Sequence, residues 1–145
     1  MESLMRTINR IARLSELYRE REFKQLGLGS MHHLYLLAIC RQPGITQETL
    51  AQDIFVNKSN VARQLAVLET KGFIFREKSP HDGRCLMIYP TKKAEAATKK
   101  IHQLLQAWNT EILAEVPKTE QEQLLANLNQ ILLTSETTLA RKEPS

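Results

Sequence analysis

Cysteine is scarce. Cys40 and Cys85 are the only two, too few for a disulfide scaffold or a Cys-based zinc ribbon, and such sparing use fits a reducing cytoplasm. Long hydrophobic runs are missing as well. No stretch reaches the ~18 apolar residues that a membrane span needs. The opening MESLMRTINRIARL puts charge into every turn, as a signal peptide does not. There is no Gly-rich phosphate loop, no nucleophile elbow and no HExxH motif. Internal repeats and low-complexity segments are also lacking. These absences argue against secreted disulfide-rich domains, membrane proteins and the common catalytic frameworks, so neither an enzyme nor a cofactor is expected.

Positive charge is present but unevenly spread. Of a net +4, residues 57–93 hold eight basic and three acidic side chains, a local balance of +5, while the remainder nets −1. Within that basic stretch the sequence predicts a helix from Lys58 to Lys71, which contains neither Gly nor Pro, with Asn57 placed to cap its first turn. At about 100° per residue, Val61, Leu65 and Leu68 fall on one side, and Ser59, Asn60, Arg63 and Gln64 spread over the other. A shorter helix before it, capped by Thr46, has Leu50, Ala51 and Ile54 on its inward face. A braced helix with a polar, cationic surface has the chemistry needed to meet base edges in a major groove. An ordinary solvated surface is the alternative.

The rest of the chain reads as helices and one hairpin. Leu4, Ile8, Ile11, Leu14 and Tyr18 recur at helical spacing from Ser3 to about Gln25, and Gly27 and Gly29 break that helix. Ser30 can cap the next, Met31 to Arg41, whose apolar content predicts burial on most sides. Pro43-Gly44 marks a turn. Gly72 can end the cationic helix. Phe73-Ile74-Phe75 and Cys85 to Tyr89 then pair as strands around a turn-rich tip, Ser79 to Gly83. From Thr91 apolar residues alternate by three and four for about 25 residues to Val116, the longest element expected. Pro117 stops it, a last helix runs from Thr119 to about Ala140, and the tail RKEPS is expected to fray. The first and the last two helices have apolar stripes with no evident partner. Two chains that interleave them would bury those stripes as a two-fold dimer, and packing within one chain is the alternative.

In element order and in its residues the chain resembles the MarR family of winged helix-turn-helix transcriptional regulators over nearly its whole length. The likeness rests on Pro43-Gly44-Ile45-Thr46-Gln47, on Val56-Asn57-Lys58-Ser59-Asn60-Val61-Ala62-Arg63, on Leu68-Glu69-Thr70-Lys71-Gly72-Phe73-Ile74, on Asp82-Gly83-Arg84, and on Pro90-Thr91 where the family has Leu-Thr. It implies a mainly α fold of six helices with a small β-hairpin wing. A dimerisation helix (1–29), a winged helix-turn-helix DNA-binding lobe (30–90) and C-terminal dimerisation helices (91–145) are expected. Two positions depart from the pattern. Phe55 stands where the turn usually has Gly, and a bulky residue at positive φ costs on the order of 1 kcal/mol, so the turn is expected to be reshaped. Lys93 and Ala94 occupy the place of a second usual Gly.

The resemblance implies a cytoplasmic homodimer, most simply a repressor, on a pseudo-palindrome of double-stranded DNA with half-site centres ~34 Å apart. Ser59, Asn60, Arg63 and Gln64 are expected near bases, Arg pairing with guanine and Asn or Gln with adenine. Lys58 is expected at phosphate, with Thr46 and Gln47 near the backbone. Arg84 is expected in the minor groove, its guanidinium positioned by Asp82; a surface ion pair is the alternative. Arg13, Tyr18 and His33 fall in the region where the family often keeps a pocket for a small aromatic effector. Metal and redox sensing are further alternatives. His32, His33 and His102 show no pair at i, i+4, Cys40 has no activating cation beyond Arg41, and no metal site is assigned. From another class, a winged-helix module could offer its basic face to an acidic protein.

Overall fold

The computed structural model describes residues 2–143. Six α-helices and a three-stranded antiparallel sheet follow in the order α1 (Glu2–Phe23), α2 (His32–Arg41), β1 (Ile45–Thr46), α3 (Gln47–Ile54), α4 (Lys58–Thr70), β2 (Ile74–Lys78), β3 (Leu86–Pro90), α5 (Lys92–Ile112) and α6 (Lys118–Lys142). The chain divides into two compact units, one up to Leu105 and one from Gln106 onward. No described helix is long and apolar enough to cross a membrane.

In the first unit, α1 ends at the fully buried Phe23. A 3-10 turn, Lys24–Leu26, follows and is closed by Gly27 in the left-handed conformation. Helix α2 starts without the expected side-chain cap: Met31 is its N-cap residue. Ser30 contributes its carbonyl instead, which accepts from Arg19 Nε and His33 Nδ1, both at 2.9 Å. Six residues of α2 are buried, and four of them, Tyr35, Leu36, Ala38 and Ile39, form one apolar core with Leu50, Val61, Leu65, Leu68, Phe73, Ile88 and Ile101.

The sheet has one strand more than the expected hairpin. Its order is β1-β3-β2, with Ile45 opposite Ile88 and Arg76 also opposite Ile88 on the other side. Two residues are too few for alternation to reveal β1 in the sequence. Gly44 makes the approach possible: its N–H donates to Ile88 O at 2.8 Å, and a Cβ there would sit 3.3 Å from Met87 Cε at φ +87°.

Phe55 adopts φ 57°, ψ 42°. The helix-turn-helix turn is therefore not reshaped around its missing Gly. A bulky residue accepts the left-handed conformation, closed by a bond from the Phe55 N–H to Ala51 O. At 70% exposure its ring meets no crowding. The other departure is used constructively. Lys93 Nζ donates to Lys71 O at 2.6 Å and lies 4.4 Å over the Phe73 ring, fastening α5 to the end of α4.

Helices α5 and α6 differ from expectation at their ends. Helix α5 stops at Ile112, short of Val116, and α6 is the longest helix, with 25 residues against 21. Pro117 is the N-cap residue of α6 rather than the stop of α5. In the second unit Gln121 Nε2 donates to the carbonyls of Leu113 (3.2 Å) and Val116 (2.9 Å), which closes the connecting turn. The helix continues through Lys142 where fraying was expected; Pro144 and Ser145 lie outside the described residues, as does Met1.

Candidate nucleic-acid interface

Local capping sets the two helices of the interface. Thr46 Oγ1 accepts from the Thr49 N–H at 3.1 Å, and Asn57 Oδ1 accepts from the Asn60 N–H at 2.8 Å. Each cap satisfies a backbone donor that the first helical turn leaves free. Val61, Leu65 and Leu68 are fully buried, so α4 is held by its apolar side, as its periodicity predicts. At its far end the Phe73 N–H bonds to Leu68 O, with Gly72 at φ 81°, which turns the chain into the wing.

The fold gathers Thr46, Gln47, Lys58, Asp82 and Arg84 around one cleft of about 370 Å³, lined also by Glu48, Cys85 and Leu86. Thus the start of α3, the start of α4 and the wing converge. The wing tip is exposed from Pro80 to Arg84. Asp82 acts on Arg84 differently from the expectation. Its Oδ1 accepts from the Arg84 backbone N–H at 3.0 Å, so it shapes the loop. Among the described residues the Arg84 guanidinium forms no ion pair.

Several of the basic residues in the 57–93 stretch already have partners. Arg76 makes a two-pronged bond to Glu69, 3.2 Å at each contact, and holds that carboxyl below its usual range, chiefly by the hydrogen bond. Lys71 donates to Gly27 O at 2.7 Å, and Lys93 to Lys71 O. Lys58 lies 3.5 Å from Glu48. Sequence reading missed Glu48, an acidic residue in the first turn of α3. Arg63 Nη2 donates to Asn60 Oδ1 at 3.4 Å and, among the described residues, forms no ion pair. The cations left without an acidic partner therefore include Arg63 on α4 and Arg84 on the wing.

The remaining expected residues separate by position on α4. Ser59 and Arg63 are exposed and Asn60 is half-buried. Gln64 is turned toward the α2 side, half-buried, with Oε1 2.9 Å from His32 Nε2; Asn60 and Gln64 line a second cleft of about 260 Å³ with the residues from Gly29 to His32.

The residues expected near an effector have separate engagements. Arg13 is exposed and paired with Glu16 at 2.8 Å. Tyr18 donates to Leu104 O at 3.0 Å. His33 is buried and packs on the Phe23 ring with centroids 5.5 Å apart. Burial, and then the nearby Arg19 guanidinium, push its pKa down to about 4. Arg19, which sequence reading passed over, is thus the cation beside His33. Burial also raises the Cys40 thiol, the opposite of what an activated thiolate requires. Among the described residues no group of three or more His, Cys, Asp or Glu is placed to hold a metal ion.

A helix-turn-helix with a β-hairpin beside its second helix defines the class: a winged helix-turn-helix. A family model described as MarR family matches residues 26–84. An uncharacterized HTH-type transcriptional regulator of Bacillus subtilis, YybA, is 33% identical over 135 residues, covering 90% of this chain and 87% of that one. The HTH-type transcriptional regulator BilQ of Clostridium symbiosum is 29% identical over 129 residues, 89% of this chain and 85% of that one. Among solved structures, the transcriptional regulator SlyA superposes with a TM-score of 0.91 at 30% identity, over 97% of this chain and 99% of the other. A MarR family regulator from Listeria monocytogenes, complexed with 26mer DNA, superposes with a TM-score of 0.88 at 23% identity, over 100% and 99%. The chain belongs to the MarR family of winged helix-turn-helix transcriptional regulators.

Proposed function

We propose that this chain is a cytoplasmic, homodimeric repressor that binds a pseudo-palindromic stretch of double-stranded DNA, and that its activity as a regulator involves no catalysis. The observation that carries the reading is the convergence of α3, α4 and the wing on one cleft, with Arg63 and Arg84 free of acidic partners among the described residues. In this reading Ser59, Asn60, Arg63 and Gln64 face bases, Lys58 leaves Glu48 for a phosphate, Thr46 and Gln47 contact the DNA backbone, and Arg84 enters the minor groove from a loop shaped by Asp82. Apolar side chains exposed on α1 and α6, among them Ile11, Leu14, Leu128 and Leu132, support pairing of two chains through residues 1–29 and 91–145 around the 30–90 lobe.

Repression is relieved, in this reading, by a small aromatic effector that prefers a dimer whose lobes are wrongly spaced for DNA. Such a ligand shifts occupancy only by its differential affinity for the two states. Selection from randomised duplex DNA tests the core of the proposal. A dyad motif with half-sites about one turn apart is expected, and no enrichment at moderate salt points instead to a protein-interaction module. Arg63→Ala should weaken binding to the selected site by about 1–3 kcal/mol and relax preference at one position per half-site.

A further inference from the structure

His32 is buried at the start of α2, and its ring is bonded at both nitrogens. The Gly29 backbone N–H donates to Nδ1 at 3.0 Å, and Nε2 lies 2.9 Å from Gln64 Oε1. A backbone amide can only donate, so Nδ1 must accept. In the neutral ring the proton then sits on Nε2. A donor at Nε2 requires an acceptor opposite it, which fixes the Gln64 amide with its oxygen toward His32. The opposite amide orientation would set an N–H against an N–H. One peptide N–H in the loop before α2 thereby determines, through a ring tautomer, which end of a side chain on α4 remains for an outside partner.

We infer that His32 is a positioning residue for DNA recognition: it holds Gln64 so that the amide NH2 meets guanine rather than adenine. A glutamine that reads adenine uses both ends of its amide, the oxygen accepting from N6–H and the nitrogen donating to N7. Here the oxygen is already bonded, and an adenine would have to share it. Guanine offers two acceptors in the major groove, O6 and N7, which suit the donors left on Gln64. The inference rests on the proposed reading of α4 as the base-contacting helix.

Two substitutions separate the ring's two bonds. His32→Asn keeps an oxygen near the Nδ1 position for the Gly29 N–H but lacks a donor that reaches Gln64. His32→Gln keeps a donor at the Nε2 position. Selections from randomised duplex DNA would be run on the full-length wild type, on both variants and on Gln64→Met, which erases preference at the position that Gln64 reads. Wild type and His32→Gln should favour guanine over adenine there by about fivefold, the scale of one hydrogen bond. With His32→Asn that preference should fall below about twofold or pass to adenine, while the other positions and the salt dependence stay as in wild type. An unchanged guanine preference in His32→Asn overturns the inference and leaves the helix reading intact; a Gln64→Met motif identical to wild type also overturns it and removes Gln64 alone from the base-facing set. Failure of wild type to yield any motif overturns the two together. If the variants do not fold, nitrogen NMR of the wild-type ring decides: a proton on Nε2 supports the assignment, and a proton on Nδ1 alone refutes it.

Discussion

The apolar faces of α2, α3 and α4 in the first unit and the apolar face of α6 all recur at helical spacing and meet opposite fates. In the first unit Phe23, Leu36, Ile39, Leu50, Val61, Leu65, Leu68, Phe73, Ile88 and Ile101 are excluded from water within one chain. On α6 no residue is buried, and Leu124, Leu125, Leu128, Ile131, Leu132 and Leu139 are all exposed. Periodicity records only that a face is to be covered. Whether the chain itself covers it depends on what the fold places opposite. An apolar stripe of this extent left in water marks an interaction face, which the proposed function gives to a second copy.

The sharpest way to break that comparison is to cut each set. Leu65→Ala should lower stability by about 2–5 kcal/mol, the cost of a cavity in a closed core, with a denaturation midpoint that moves equally at every protein concentration. Leu132→Ala should show its effect mainly at low concentration, because stability carried by association follows mass action. A shift for Leu132→Ala that is independent of concentration would show that α6 is covered by its own chain.

The closed core also has a pH signature that α6 lacks. His33 titrates near 4 in the folded chain and near 6.5 when unfolded. Between those values the unfolded state binds more protons, so stability is full above about pH 6.5 and is lost as pH falls toward 4, by on the order of 3 kcal/mol. Denaturant titrations at pH 7 and 4.5 should show the loss in wild type, and His33→Leu should remove this component.

Two smaller effects sharpen the picture at the interface. Phe55→Gly releases the left-handed strain and should raise stability by up to about 1 kcal/mol, read from thermal melting; a clear loss would mean that the exposed ring has a contact worth more than its strain. Glu48→Gln removes the partner that Lys58 must leave. DNA affinity should rise about twofold to threefold at low salt, as expected for an exposed pair, with a steeper salt dependence.

Much of this was readable from residue types. The caps Thr46 and Asn57, the buried face of α4, the glycine that ends it and the exposed wing tip are local signals, each fixed by a few neighbouring residues. Strand β1 was not readable, because two residues have no period. The end of α5 was misplaced because apolar spacing runs on through the connecting turn, where Leu113 and Val116 keep the helical rhythm without helical backbone. The role of Asp82 was half-read: the residue belongs to the wing, but its carboxylate holds a peptide N–H instead of the guanidinium.

By itself, then, the sequence determined the identities of the helices, the face of α4 turned inward and the place where positive charge accumulates, because capping and amphipathic spacing act within one or two turns of chain. Only the tertiary structure decided which charges stay available. Lys71 and Lys93 are spent on carbonyls, Arg76 on Glu69 and Lys58 on Glu48, while Arg63 and Arg84 have no acidic partner among the described residues. The same holds for Gln64, which is separated from His32 by 32 positions and brought against it by packing of α2 on the helix-turn-helix. Such pairings depend on distances that no local pattern encodes, since a side chain's partner is set by where the core places the next element.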